Sequence, residues 1–267
     1  MTTLQTQTSH PFNKIPQLTL LFWLTKITAT TLGETGGDLI AQTLKVGYAI
    51  STIIFFSFFL VTVISQLLVR RYIPPLYWAV IVATSTAGTT MSDYMDRTLK
   101  LGYATGTAIL ITILIIILIT WKLVEKSLSV TDIESRRGET FYWLAILFSN
   151  TLGTALGDFM ADSSGLGFGG SAAIITGVII IIILLYYFTK VNRVVLFWIA
   201  FVLTRPFGAT FGDLLTKSKE KGGLDYGTKG ATIILSAILV ILVIIEVIRL
   251  RKEKEGTVSV QPASMSS

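Results

Sequence analysis

The sequence predicts an all-α integral membrane protein with eight transmembrane helices arranged as four two-helix repeats. Three observations carry this expectation. Hydrophobic residues make up 52% of the 267-residue chain and charged residues only 14%, with a mean hydropathy of +0.69; soluble domains carry about 25% charge. Apolar runs of about the twenty residues that cross a bilayer recur along the chain. Every second run carries one motif without gaps, a Trp followed ten residues later by Gly and fifteen later by Asp.

In chain order, residues 1–17 read as a polar N-terminal tail holding the one histidine, His10. The apolar runs follow at 18–43, 48–69, 76–98 and 103–122, then at 141–161, 170–189, 195–215 and 230–248. The motif runs contain Trp23, Gly33 and Asp38; Trp78, Gly88 and Asp93; Trp143, Gly153 and Asp158; and Trp198, Gly208 and Asp213. They divide the chain into a first half, 18–122 (repeats 18–70 and 76–122), and a second half, 141–249 (repeats 141–190 and 195–249). Residues 123–140 are expected as a cytoplasmic linker and 250–267 as a disordered C-terminal tail. The motif runs are rich in Gly, Ala, Ser and Thr, which allow close helix packing in membranes. The alternate runs are mostly Ile, Leu and Val, as lipid-facing helices require. The arrangement expected is an inner ring of four motif helices with an outer layer of four greasy ones. Two spans per repeat point all motif helices the same way, about an axis along the membrane normal. The recurrent Trp reads as a membrane-interface anchor.

Charge sets the orientation and excludes several classes. The net charge of +6 comes largely from Lys and Arg in short loops, thirteen on the side of both termini against seven opposite. This asymmetry leads to the expectation that both termini are cytoplasmic and gives no reason to expect a nucleic-acid partner. Cysteine is absent, which excludes disulfides, iron–sulfur clusters and Cys/His zinc sites. No cleavable signal peptide is expected, and the Gly165–Gly170 stretch lacks the Lys and spacing of a phosphate-binding loop.

Stepping by four residues follows one helix face. The first motif run gives Lys26, Thr30, Glu34, Asp38, Gln42, and the second Ser85, Thr89, Asp93, Arg97. The third gives Asn150, Thr154, Asp158, Asp162, and the fourth Arg205, Ala209, Asp213, Lys217. Such polar stripes must face one another or water, because lipid cannot solvate them, and ionisable groups at membrane depth are usually functional. The acids Glu34, Asp38, Asp93, Asp158, Asp162 and Asp213 outnumber the bases Lys26, Arg97, Arg205 and Lys217 by two. That deficit suits one divalent cation, and oxygen donors suit a hard one. The acids are therefore the expected metal ligands, Thr30, Thr89, Asn150 and Thr154 the auxiliary oxygen ligands, and the four bases counter-ions or gates. Asp93–Arg97 and Asp213–Lys217 also have the spacing of ordinary intrahelical ion pairs.

The segments TLGETGGDLIAQTLKVGY, TTMSDYMDRTLKLGY, FYWLAILFSNTLGTALGDFMAD and LTRPFGATFGDLLTK resemble a bacterial family of repeat-containing membrane proteins, over residues 18 to 250. That resemblance supplies a family and no activity. Glu34, Gly37 and Asp38 are also similar to the Glu-x-Gly-Asp motif of cation/proton exchangers that handle Mn²⁺ and Ca²⁺. Here the spacing differs by one residue, the following Lys or Arg is missing, and the duplication is parallel rather than inverted.

The function expected is a membrane transporter of a divalent cation of the Mn²⁺, Mg²⁺ or Ca²⁺ class, coupled to protons in one version, and not an enzyme. No permanently bound cofactor and no catalytic residue are expected. The partners are the lipid bilayer, a small inorganic ion and, as an open option, further copies of the chain. The alternatives are a cation or proton channel, an intramembrane metal-dependent lipid enzyme, and a scaffold whose ion pairs only hold helices together.

Overall fold

The computed structural model describes residues 14–130, 133 and 135–259, with the backbone alone at residues 254 and 256–259. His10, most of the expected N-terminal tail and residues 260–267 lie outside the described residues. The elements are helical throughout: α1 Leu20–Asp38, α2 Tyr48–Leu68, α3 Pro74–Asp93, α4 Tyr103–Glu125, α5 Arg136–Asp158, α6 Gly167–Phe188, α7 Arg193–Thr216 and α8 Thr228–Ser259. There is no strand among the described residues.

The starts of the motif helices follow local chemistry. Thr19 and Ser135 cap α1 and α5 by accepting from the backbone N–H of Phe22 and Gly138, and Asn192 caps α7 from Val194 and Val195. These bonds satisfy donors that have no partner in a helix's first turn. Pro74 and Pro75 open α3, where a missing N–H costs nothing.

The ends repeat too. α1, α3 and α5 each stop at the motif Asp and continue as a π-helical turn, Leu39–Thr43, Tyr94–Thr98 and Phe159–Ser163. The chain then reverses through two left-handed residues, Lys45 and Gly47, Lys100 and Gly102, or Gly165 and Gly167. The second position is glycine in every copy; at Gly47 and Gly102 the positive φ of 84° and 76° is combined with a ψ of 157° and 151°, a region open in practice only to glycine. The fourth copy departs: α7 runs on to Thr216, a 3₁₀ turn Lys219–Lys221 replaces the π turn, and the left-handed pair is Asp225 and Gly227.

Among the described residues six of the eight helices are long and apolar enough to cross a membrane: α2, α4, α5, α6, α7 and α8. α1 and α3 fall short because their own stripes dilute them, α1 with Lys26, Glu34 and Asp38 and α3 with its Thr and Ser residues. α8 is also longer than its apolar run and continues to Ser259, into the segment expected as tail.

Packing explains why a greasy and a polar helix alternate. α1 packs against α3 and α7, and α5 packs against the same two. The alternate helices lie outside, and each packs chiefly on the motif helix of the following repeat: α2 on α3, α4 on α5, α6 on α7 and α8 back on α1. Their apolar windows are only 17–28% buried, against 72% for α5 and 56% for α7. Exposed Ile53, Val61, Ile115, Ile181, Ile233 and Ile241 form the outward surface that a bilayer would cover.

The repeated Gly has a steric cause. A Cβ on Gly33 would meet Ser85, one on Gly88 would meet Asn150 and Thr151, one on Gly153 would meet Arg205 and Pro206, and one on Gly208 would meet Thr30. Each motif glycine is thus the point where one motif helix approaches the next. Gly153→Ala is expected to lower stability by about 1–3 kcal/mol through overpacking, read as an earlier thermal transition in detergent.

The Trp residues correct the sequence reading. Trp78, Trp143 and Trp198 are buried and Trp23 is half-buried, so they are not anchors at a lipid interface. Each meets the aromatic residue that precedes the Trp of a neighbouring motif helix. The pairs are Phe22–Trp78 at 5.7 Å, Tyr77–Trp143 at 5.5 Å, Tyr142–Trp198 at 6.4 Å and Phe197–Trp23 at 6.0 Å between ring centroids. Aromatic pairs at such separations are favourable beyond their burial. This belt packs the end of the motif helices opposite the aspartates, and a 2.6 Å hydrogen bond between the Tyr77 and Tyr142 hydroxyls lies within it.

Candidate functional site

The four-residue steps arrange the stripes as successive levels along the motif helices. Twelve residues before the aspartates lie Lys26, Ile81, Ile146 and Phe201; eight before lie Thr30, Ser85, Asn150 and Arg205; four before lie Glu34, Thr89, Thr154 and Ala209. The aspartates Asp38, Asp93, Asp158 and Asp213 are all buried, at 2–4% exposure. The level four residues beyond holds Gln42, Arg97, Asp162 and Lys217.

At the aspartate level each of two bases joins two acids. Arg97 lies 2.7 Å from Asp93 on its own helix and 3.1 Å from Asp158 on the next. Lys217 lies 3.1 Å from Asp213 on its own helix and 2.5 Å from Asp38 on α1. The two arrangements correspond residue for residue under the offset of 120 that relates the halves of the chain. The side chains of Arg97 and Lys217 are 34% and 17% exposed, so they form a partly exposed rim over buried carboxylates. Gln42 also donates to Asp38.

One level deeper, Glu34 breaks the symmetry. Its Oε2 accepts from both terminal nitrogens of Arg205 at 3.1 Å, and Arg205 is fully buried. The same guanidinium donates to Thr154 Oγ1 at 2.7 Å, to Thr89 Oγ1 and to the Ser85 carbonyl at 3.3 Å. Arg205 thus ties α7 to α1, α3 and α5, a charge-assisted network of the strong kind. Glu34, Asp38 and Asp213 each offer a carboxylate oxygen within 4.8 Å of the others, which is a spacing that could hold one metal ion.

The other expected ligands fall elsewhere. Asp162 is exposed and accepts from Tyr103 at 3.2 Å. Thr30 donates to carbonyls of Lys26, Ile27 and Thr204, and Asn150 donates to Thr84 at 2.9 Å. Neither is spent on a carboxylate. Asp93 and Asp158 pair through Arg97 on the other side of the pseudo-twofold arrangement. Asp96 is buried against α4, where a Cβ on Gly106 would meet its carboxylate.

Two polar contacts at the opposite end, one buried and one half-buried, were not singled out from the sequence. Lys14 reaches Glu139 at 2.7 Å, and Glu246 of α8 accepts from Tyr72 at 2.7 Å and Trp78 at 2.6 Å. Glu246 carried a signal, a lone acid inside an apolar run. Glu139 carried a weaker one, an acid in the first turn of a span.

Fold and stripes together define a helical protein with internal repeats and membrane-spanning helices. The chain belongs to the repeat family described as Repeat of Unknown Function (DUF347), whose pattern matches four times, at residues 21–72, 76–127, 141–192 and 196–252. The fourth match is the longest, 57 residues against 52, and the extra length falls where the 3₁₀ turn replaces the π turn. No curated protein and no solved structure matches the chain.

Proposed function

We propose that this protein is a multi-pass transporter of a divalent cation of the Mn²⁺, Mg²⁺ or Ca²⁺ class, exchanged for protons, in a bacterial cytoplasmic membrane. In this reading all eight helices span the bilayer. α1, α3, α5 and α7 form an inner ring about an axis along the membrane normal, so α1 and α3 need not be apolar enough to face lipid. Both termini are cytoplasmic, which puts the aromatic belt at the cytoplasmic end and the aspartate level toward the outside.

The convergence of Glu34, Asp38 and Asp213 carries this reading. Three buried carboxylates that close repel one another unless cations intervene, and hard oxygen donors select hard ions. Lys217 and Arg205 are the cations present. Lys217 is the one that can leave. It sits just beyond α7 in extended backbone, on a long flexible stem, whereas Arg205 is buried and held by four residues. A metal ion arriving from the aspartate side would displace the Lys217 ammonium outward and take its carboxylates.

Calorimetric titration of Mn²⁺, Mg²⁺ and Ca²⁺ into detergent-purified protein tests the proposal, with an Asp38→Asn/Asp213→Asn variant alongside. Saturable binding by the wild type and its loss in the variant are expected. No binding to folded wild type, or equal binding by both, contradicts it. A scaffold reading is favoured by one observation, that every acid of the cluster has a basic partner. It predicts that neutralising Asp38 and Lys217 together changes nothing beyond stability.

A further inference from the structure

Among the buried bases of the stripes, Lys26 is the one that the cation site does not use. It lies on α1 three levels below the aspartates and is fully buried. Its Nζ has no hydrogen-bond partner and sits 4.0 Å from the centroid of the Phe201 ring. The rest of its level is Ile81 and Ile146, and the aromatic belt lies one turn further on. Arg97, Arg205 and Lys217 each hold a carboxylate; the Lys26 Nζ holds none.

The groups facing this region from each neighbouring helix are few. α7 brings Phe201 and, one turn on, Arg205, whose Nε also has no partner. α3 and α5 bring Ser85 and Asn150 at the level above, and the Ser85 Oγ and Asn150 Oδ1 are unpartnered. α8 brings Glu246, which is taken by Tyr72 and Trp78 at the far end. On α1 itself the next ionisable group is Glu34, held by Arg205. Lys26 therefore stands between the aromatic end and the charge cluster with no carboxylate of its own; the unpaired polar atoms one level toward the cluster are the Ser85 Oγ, the Asn150 Oδ1 and the Arg205 Nε, and in the aromatic belt the Trp143 Nε1 is unpaired too.

A buried ammonium without an acceptor carries a large desolvation cost. Arginine at this position could not shed its charge, whereas lysine can. The geometry points to Lys26 as the proton-carrying group of the transport cycle, protonated while the cluster is without metal and deprotonated when metal is bound. The inference rests on the cation-transport reading and names its proton partner. The step balances simply: an N–H bond of the ammonium breaks, the electron pair stays on Nζ, and the proton passes to water when the aromatic end opens. A divalent ion on Glu34, Asp38 and Asp213 adds positive charge along the same axis as Arg205 and disfavours a further cation at Lys26. By linkage, protonating Lys26 weakens metal binding to the same extent.

Two variants bracket the proposal. Lys26→Met cannot hold a proton there, and Lys26→Arg cannot release one; removing an unpartnered buried charge should leave folding of the Met variant intact. Calorimetry in buffers of different ionisation heat counts protons released per Mn²⁺ bound. The wild type is expected to release about one proton more than either variant. Equal proton counts overturn the proposal. A second arm needs no metal: a pH titration of Trp fluorescence in metal-free detergent, reported by Trp198, whose ring centroid lies 5.8 Å from that of Phe201. A step present in the wild type and absent from both variants supports Lys26 as a proton site even if no cation binds, which separates its fate from that of the cation reading. No such step in the wild type, or one unchanged in the variants, overturns it.

Discussion

Arg205→Met is expected to destabilise the folded protein by about 3–5 kcal/mol, the range for removing one member of a buried ion pair. Arg205 is fully buried and its guanidinium donates to Glu34, Thr89, Thr154 and the Ser85 carbonyl. The substitution leaves the Glu34 carboxylate uncompensated among three other motif helices. Lysine is no substitute, because one ammonium cannot reproduce a planar fork that reaches four acceptors. The companion Glu34→Gln/Arg205→Met should recover most of the loss, since the unpaired charge rather than the missing attraction dominates. Thermal unfolding in one detergent compares the three chains. Equal stability of wild type and Arg205→Met would remove this pair as the tie between motif helices.

The second large effect is on metal affinity, and it should be lopsided. Asp38→Asn removes one of three convergent carboxylates and should weaken binding by at least the 10–100-fold typical of losing even an outer-shell partner. Asp93→Asn should cost much less, because Asp93 and Asp158 are bridged by Arg97 away from the trio. Lys217→Met should tighten binding by about tenfold, since the ammonium that competes for Asp38 and Asp213 is gone. Equal losses at Asp38 and Asp93 would mean a shared site on the axis instead of one on the Glu34 side.

Much of this architecture is legible in the sequence, and the reasons are physical. The exact spacing of Trp, Gly and Asp has a cause: each glycine marks a helix crossing, and the aspartates end α1, α3 and α5 and lie in the last turn of α7. The stripes are visible because lipid cannot tolerate them. Partner choice across helices is not legible. A four-residue step pairs Arg97 with Asp93, but says nothing of Asp158, and likewise of Lys217 with Asp38. Nor does local pattern show that Arg205 reaches Glu34 over 171 residues of chain. The Trp residues misled because indole rings at span ends are common at lipid interfaces; their preceding aromatic residues, Phe22, Tyr77, Tyr142 and Phe197, were the missed sign that they pack on one another. Asp162 fits the stripe in sequence, yet the π turn Phe159–Ser163 leaves it exposed at the rim.

The most direct test of the central claim is cation flux through the purified protein in sealed liposomes. Uptake of Mn²⁺, Mg²⁺ or Ca²⁺ should saturate with concentration, move protons the opposite way, and vanish in Asp38→Asn/Asp213→Asn. Liposomes that take up none of the three ions with folded wild-type protein, or that take them up equally with the variant, would contradict it.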